Sequence, residues 1–200
     1  MPPCRWARTS KGHGRYHITN VWKRNTSLGF YPEVNTMQLL FLMAVLLVPG
    51  AILTLVERWL PHTTVPWTTK GRAGLSLFFA VTSSGHFLQT AAMADMLPPV
   101  VPFRIEIIYL TGVLELLGAV GVWLPRLDRL AGLGLLLMMV GLLPANIYAA
   151  FNHVPFGGHE LGPVYLLVRV PFQLFLIWWI YQVTVAQHAA TPAWRGAAVD

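Results

Sequence analysis

Charge and cysteine are what this sequence has least of. Only 11 % of its 200 residues are Asp, Glu, Lys or Arg, against roughly 25 % in an average soluble domain. Hydrophobic residues reach 55 %, too many for a small soluble domain to bury. Cys4 is the single cysteine, which excludes disulfide frameworks, CxxC redox pairs and cysteine zinc sites. No Walker or GxGxxG pattern precedes a helix, so nucleotide binding has no support. Ser83 and Ser84 lie mid-helix without a nucleophile elbow, which argues against a serine hydrolase. A bis-histidine haem needs two histidines facing across a bundle, and His86 is the one histidine inside an apolar stretch.

The net charge of +6 resembles a nucleic-acid signal until it is divided along the chain. Arg5, Arg8, Lys11, Arg15, Lys23 and Arg24 stand against Glu33 alone in residues 1–36. The remainder is almost neutral. A basic tail on an apolar body gives no nucleic-acid-binding domain. Residues 1–36 show neither helical nor strand periodicity and are expected to be disordered. Met37 opens the apolar part, so the first 36 residues are also open to being an over-long reading of the gene.

A helix needs about 20 apolar residues to cross a bilayer core of about 30 Å. Five stretches meet this expectation: Met37–Val56, Ala73–Met93, Ile105–Leu124, Leu130–Phe151 and Leu161–Val185. Prolines and charges punctuate the segments between them, notably Pro98, Pro99 and Pro102, then Arg126, Asp128 and Arg129. The expected fold is therefore an all-α membrane protein. An antiparallel four-helix transmembrane bundle occupies residues 70–185, an additional hydrophobic helix residues 37–56, and a short tail residues 186–200. A signal peptide is the rival reading of 37–56, but Pro49-Gly50 interrupts it and no small-x-small cleavage site follows. Arg58, Lys70, Arg72, Arg126, Arg129 and Arg195 collect on one side. The positive-inside rule makes that side cytoplasmic, with the carboxyl terminus.

Polar side chains inside a membrane are costly and need an explanation. At about 1.5 Å per residue, His86, Glu115, Asn146, Arg169 and Gln173 fall in the middle-to-outer half of four different spans. Helical spacing gathers Thr82, His86 and Gln89 on one face, Thr111, Gly112, Glu115, Gly118 and Ala119 on another, and Tyr165, Arg169 and Gln173 on a third. These faces are expected to converge on a polar pocket that opens outward. His86 and Glu115 are the candidates for proton handling, since an imidazole changes charge near neutral pH. Asn146, Arg169, Gln173 and Gln89 are the candidate ligand contacts, Arg169 offering a rigid donor fork. The alternative is structural. Glu115 and Arg169 would neutralise one another, and Asn146 and Gln173 would be interhelical hydrogen bonds. Trp178, Trp179 and Tyr181 read as an interfacial aromatic belt. His153 and His159 flank a glycine pair without an evident third ligand, so no metal site is expected.

Five segments together resemble the DoxX-like family of small bacterial membrane proteins. They are Gly85-His86-Phe87, Met96-Leu97-Pro98-Pro99 with Pro102, Gly112 to Gly118 around Glu115, Pro144-Ala145-Asn146-Ile147, and Arg169-Val-Pro171-Phe-Gln173. The resemblance covers roughly residues 70–185 and implies a four-helix bundle in the bacterial inner membrane. It also implies an accessory subunit that binds a quinone, or another lipophilic molecule, beside a membrane redox partner. The cysteine pairs of the disulfide-linked branch are absent, which argues against thiol relay. A carrier for a small apolar solute, a structural subunit and a homo-oligomer stay open beside this. If the chain is catalytic, the resemblance implies that it acts as part of a quinone-linked oxidoreductase.

Overall fold

The computed structural model describes residues 32–60 and 63–189, and all but the first of these belong to one unit, Glu33–Asp200. The disordered tail expected at 1–36 lies outside the described residues except for its last five, which are already helical. Helices α1 (Pro32–Trp59), α2 (Trp67–Leu88), α3 (Thr90–Ala94), α4 (Arg104–Gly121) and α5 (Asp128–Phe151) follow in order. A 3₁₀ segment (His159–Tyr165) then leads into α6 (Leu166–Ile180), a π-helical turn (Tyr181–Val185) and α7 (Ala186–Ala189). No strand occurs among the described residues.

Among the described residues, three segments are long and apolar enough to cross a membrane: Met37–Trp59, Asp128–Phe151 and His159–Val185. Five had been expected, and α2 and α4 are the two that fall short. Both form, but α2 carries Lys70, Arg72 and a run of hydroxyl residues, while α4 has only 18 residues and includes Arg104, Glu106 and Glu115. The boundaries also shift. Helix α2 starts at Trp67, directly after Pro66, inside the stretch expected to be a loop. It stops at Leu88 rather than Met93, where Gln89 leaves helical geometry at φ −128° and ψ 31°. The last span is not one uniform helix, because Gly162 (φ 72°) interrupts the 3₁₀ segment.

The apolar centre is built from Leu75, Phe78, Phe79, Leu135, Leu176 and Ile180. Large apolar residues also cover the outward faces, such as Leu117, Leu137 and Leu167. At the end away from loop 152–158, Arg72 ties three elements together. Its Nη2 donates to Asp128 Oδ2 (2.8 Å) and its Nε to the Val183 carbonyl (3.1 Å). Asp128 also occupies the first turn of α5, where a negative charge suits the helix dipole. Lys70 meets Glu57 at 2.5 Å at the same end, and Glu57 accepts from the Val65 amide. Helix α1 crosses α2 at Gly74, where an added Cβ would collide with the Leu46 carbonyl oxygen.

Candidate functional site

Helices α2 and α4 are joined by a seam of hydroxyl groups. Ser76 Oγ donates to the Ala119 carbonyl (2.7 Å) and Ser83 Oγ to the Gly112 carbonyl (2.8 Å). Each pair is seven residues from the next, two turns on antiparallel helices. Such bonds average about 0.6 kcal/mol each in a bilayer protein. Gly112 lets the helices approach, since a Cβ there would sit 2.7 Å from His86 Cβ. Thr82 Oγ1 then donates to Glu115 Oε2 at 2.8 Å.

The hydrogen bonds around His86 fix where its protons lie. Its Nδ1 is 3.1 Å from the Ile108 carbonyl and 3.1 Å from Thr111 Oγ1. The Thr111 hydroxyl is itself directed at the carbonyls of Ile107 and Ile108, so both neighbours of Nδ1 offer lone pairs. Nδ1 therefore carries hydrogen. The other nitrogen, Nε2, faces Glu115 Oε1 at 3.5 Å. That approach is favourable only with a proton between them, held by either group. His86 and Thr82 thus occupy the two oxygens of Glu115, one each.

Helices α5 and α6 supply the opposite wall. Gln173 Nε2 donates to the Met139 carbonyl (2.5 Å), and Asn146 Nδ2 to the Leu142 carbonyl (3.0 Å) and to Gln173 Oε1 (3.5 Å). Three buried polar atoms are left without a partner here: Asn146 Oδ1, Arg169 Nε and His159 Nε2. His159 Nδ1 is 2.8 Å from the Phe156 carbonyl, which makes its unpartnered Nε2 an acceptor in the neutral ring. Unmade hydrogen bonds at buried groups cost about 1–3 kcal/mol each. Three in one place mark a site that expects an occupant.

Asn146, His159 and Arg169 all line one cavity of ≈ 410 Å³, within the roughly 300–1,000 Å³ of small-molecule sites. His86, Glu115, Asn146, Arg169, Gln173 and Gln89 all line it, so the structure brings together every candidate site residue. Gln89 is exposed, whereas Glu115, Asn146 and Gln173 are buried. The rest is largely apolar, with Phe78, Met139, Phe172 and Leu176, and Leu39 and Leu42 of α1. A second hollow of ≈ 640 Å³ between α4 and α5 has no polar side chain and offers no chemistry.

The expected Glu115–Arg169 ion pair does not form. Ion pairs among the described residues join Lys70 to Glu57, Arg72 to Asp128 and His86 to Glu115. Glu115 shares the face of α4 that carries Gly112 and packs on α2, so Thr82 and His86 reach it first. Ser83, in the α2–α4 seam, and His159, in the cavity wall, are the residues whose place sequence reasoning missed. The seven-residue spacing of Ser76 and Ser83 against Gly112 and Ala119 is the signal that would have found the first. His159 enters through the fold of its loop, where it packs edge-on against Tyr165 with ring centres 5.1 Å apart. No three His, Cys, Asp or Glu side chains cluster as metal ligands among the described residues.

The family model described as "Domain of unknown function (DUF8561)" matches residues 75–184, more than half of the chain. The chain belongs to that family. The DUF8561 region spans α2 from Leu75 to the π-helical turn and contains all six candidate residues. It leaves out α1, which supplies one wall of the cavity. No curated protein and no solved structure shows significant similarity to the chain.

Proposed function

We propose that this DUF8561 member is an integral membrane protein that binds a lipophilic molecule with an oxygen-bearing head. The observation that carries the reading is the set of unpartnered buried polar atoms, Arg169 Nε, Asn146 Oδ1 and His159 Nε2, on three residues of the wall of a cavity otherwise lined largely by apolar side chains. An acceptor oxygen on the ligand satisfies Arg169, and a hydroxyl satisfies Asn146 or His159. In this reading α2, α4, α5 and α6 form an antiparallel four-helix transmembrane bundle with α1 as the extra helix. The cavity faces the outer side of the inner membrane, away from the cytoplasmic end that carries Lys70 and Arg72. The finer form, an accessory subunit for a quinone beside a redox partner, draws on the resemblance to DoxX-like proteins. There, His86 and Glu115 hold the proton that a quinol and quinone exchange.

Two measurements test this. Decylubiquinone added to the protein in nanodiscs should saturate at one molecule per chain, and Gln173→Leu with Asn146→Leu should weaken it at least about tenfold, the loss of one to two hydrogen bonds. Partition that never saturates, or that the double variant leaves intact, overturns the quinone form of the reading. A reporter fused after Asp200 should be active only when it requires the cytoplasm. Activity of a periplasm-dependent reporter overturns the orientation.

A further inference from the structure

We infer that the ligand's head is an anion, a carboxylate on a single alkyl chain, held by Arg169. This rests on the reading that the cavity takes a lipophilic molecule, and it names the class. The argument is one of charge. The cavity is lined by five titratable side chains, His86, Glu115, His159, Tyr165 and Arg169. Glu115 is already taken up on α2, its two oxygens facing His86 Nε2 and the Thr82 hydroxyl. The Tyr165 phenol is neutral, and the His159 ring needs no charge to make its one hydrogen bond, at Nδ1. Arg169 remains. A guanidinium does not lose its proton in proteins, and no carboxylate lies within ion-pair distance of this one among the described residues.

A neutral carbonyl, such as a quinone offers, would give Arg169 a hydrogen bond but no counter-charge at ion-pair distance. A carboxylate supplies both, with the two oxygens matched to the guanidinium fork. The apolar walls then fit the chain behind the head: Phe78, Phe172, Met139 and Leu176 on the bundle side, Leu39 and Leu42 on α1. The other source of a tethered anion is the headgroup of a bilayer lipid.

The test uses the full chain in phosphatidylcholine nanodiscs at pH 8, with empty nanodiscs as the blank. Decanoate, decanol and decylubiquinone are titrated in parallel. Decanoate should bind about 10- to 100-fold more tightly than decanol, the range of a charge-assisted hydrogen bond. Arg169→Met should bring the two to equal affinity, and Arg169→Gln makes the same comparison if the Met variant does not insert. Equal binding of decanoate and decanol to the wild type, or a preference that persists without Arg169, overturns the inference. Saturable decylubiquinone binding without decanoate binding overturns the anionic head and leaves the proposed function standing. Binding of none of the three overturns both. Phosphatidylglycerol added to the nanodiscs should not displace decanoate, and if it does the occupant is a bilayer lipid and the free carboxylate is wrong.

Discussion

Arg169→Met will unfold at a higher temperature than the wild-type protein once copurifying lipid has been removed. In the empty cavity the guanidinium has a buried Nε without a partner and no carboxylate at ion-pair distance. Replacing buried ionic groups by apolar ones of similar volume stabilises soluble proteins by about 1–4 kcal/mol. Snorkelling and water entry reduce that figure in a bilayer without changing its sign. Glu115→Leu should move the other way, because Thr82 and the His86 Nε2 each lose a partner, at about 1–3 kcal/mol. Thermal unfolding followed by tryptophan fluorescence reads both. If Glu115 and Arg169 were a pair, both substitutions would destabilise and the double variant would recover. A destabilised Arg169→Met would therefore restore the ion pair and remove the argument for an open cation. The expected pattern, more stability with less binding, is the usual trade at a functional site.

Gly74→Ala should cost about 1–3 kcal/mol, the range for overpacking a close contact, although it adds one methyl group. The atom that methyl meets is the Leu46 carbonyl oxygen, which is main chain and cannot turn aside as a side chain would. The helices must separate. Gly134→Ala is the matched control, because nothing lies within 4 Å of its added Cβ. Helix propensity should make it neutral or up to about 1 kcal/mol stabilising. Labelling of Leu46→Cys in a Cys4→Ser background should rise in the Gly74→Ala protein, since Leu46 is only 1 % exposed when α1 is seated. Equal melting temperatures for the two alanine variants, with no gain in labelling, would show that α1 does not rest on Gly74.

The helices and the meeting of the polar residues at one level of them were legible because both follow from spacing along one chain. His86, Glu115, Asn146, Arg169 and Gln173 reach one cavity as their positions within each span required. Partner choice was not legible. It depends on the rotation of each helix about its axis, and Gly112 turns Glu115 toward α2 rather than α6. Nor was the start of α2. Thr68, Thr69 and Lys70 look like loop residues on a hydropathy scale, which reports affinity for lipid and not helix formation. The gap left in the hydrogen bonding by Asn146, Arg169 and His159 appears only when three elements are placed together.

The way α1 is fastened has a mechanical consequence. Its hydrogen bonds and ion pair to other elements, among the described residues, all involve Glu57. The stretch that walls the cavity, Gln38 to Leu42, is held by apolar contacts alone, which have no preferred direction. From the crossing at Leu46, that stretch extends as a cantilever of about 12 Å at 1.5 Å per residue. A tilt of about 10° displaces its tip by roughly 2 Å over that length, and none of the hydroxyl bonds of the α2–α4 seam is touched. The wall can yield while the polar groups behind it keep their geometry, and the opening this makes lies on the side of the helices, not at their ends.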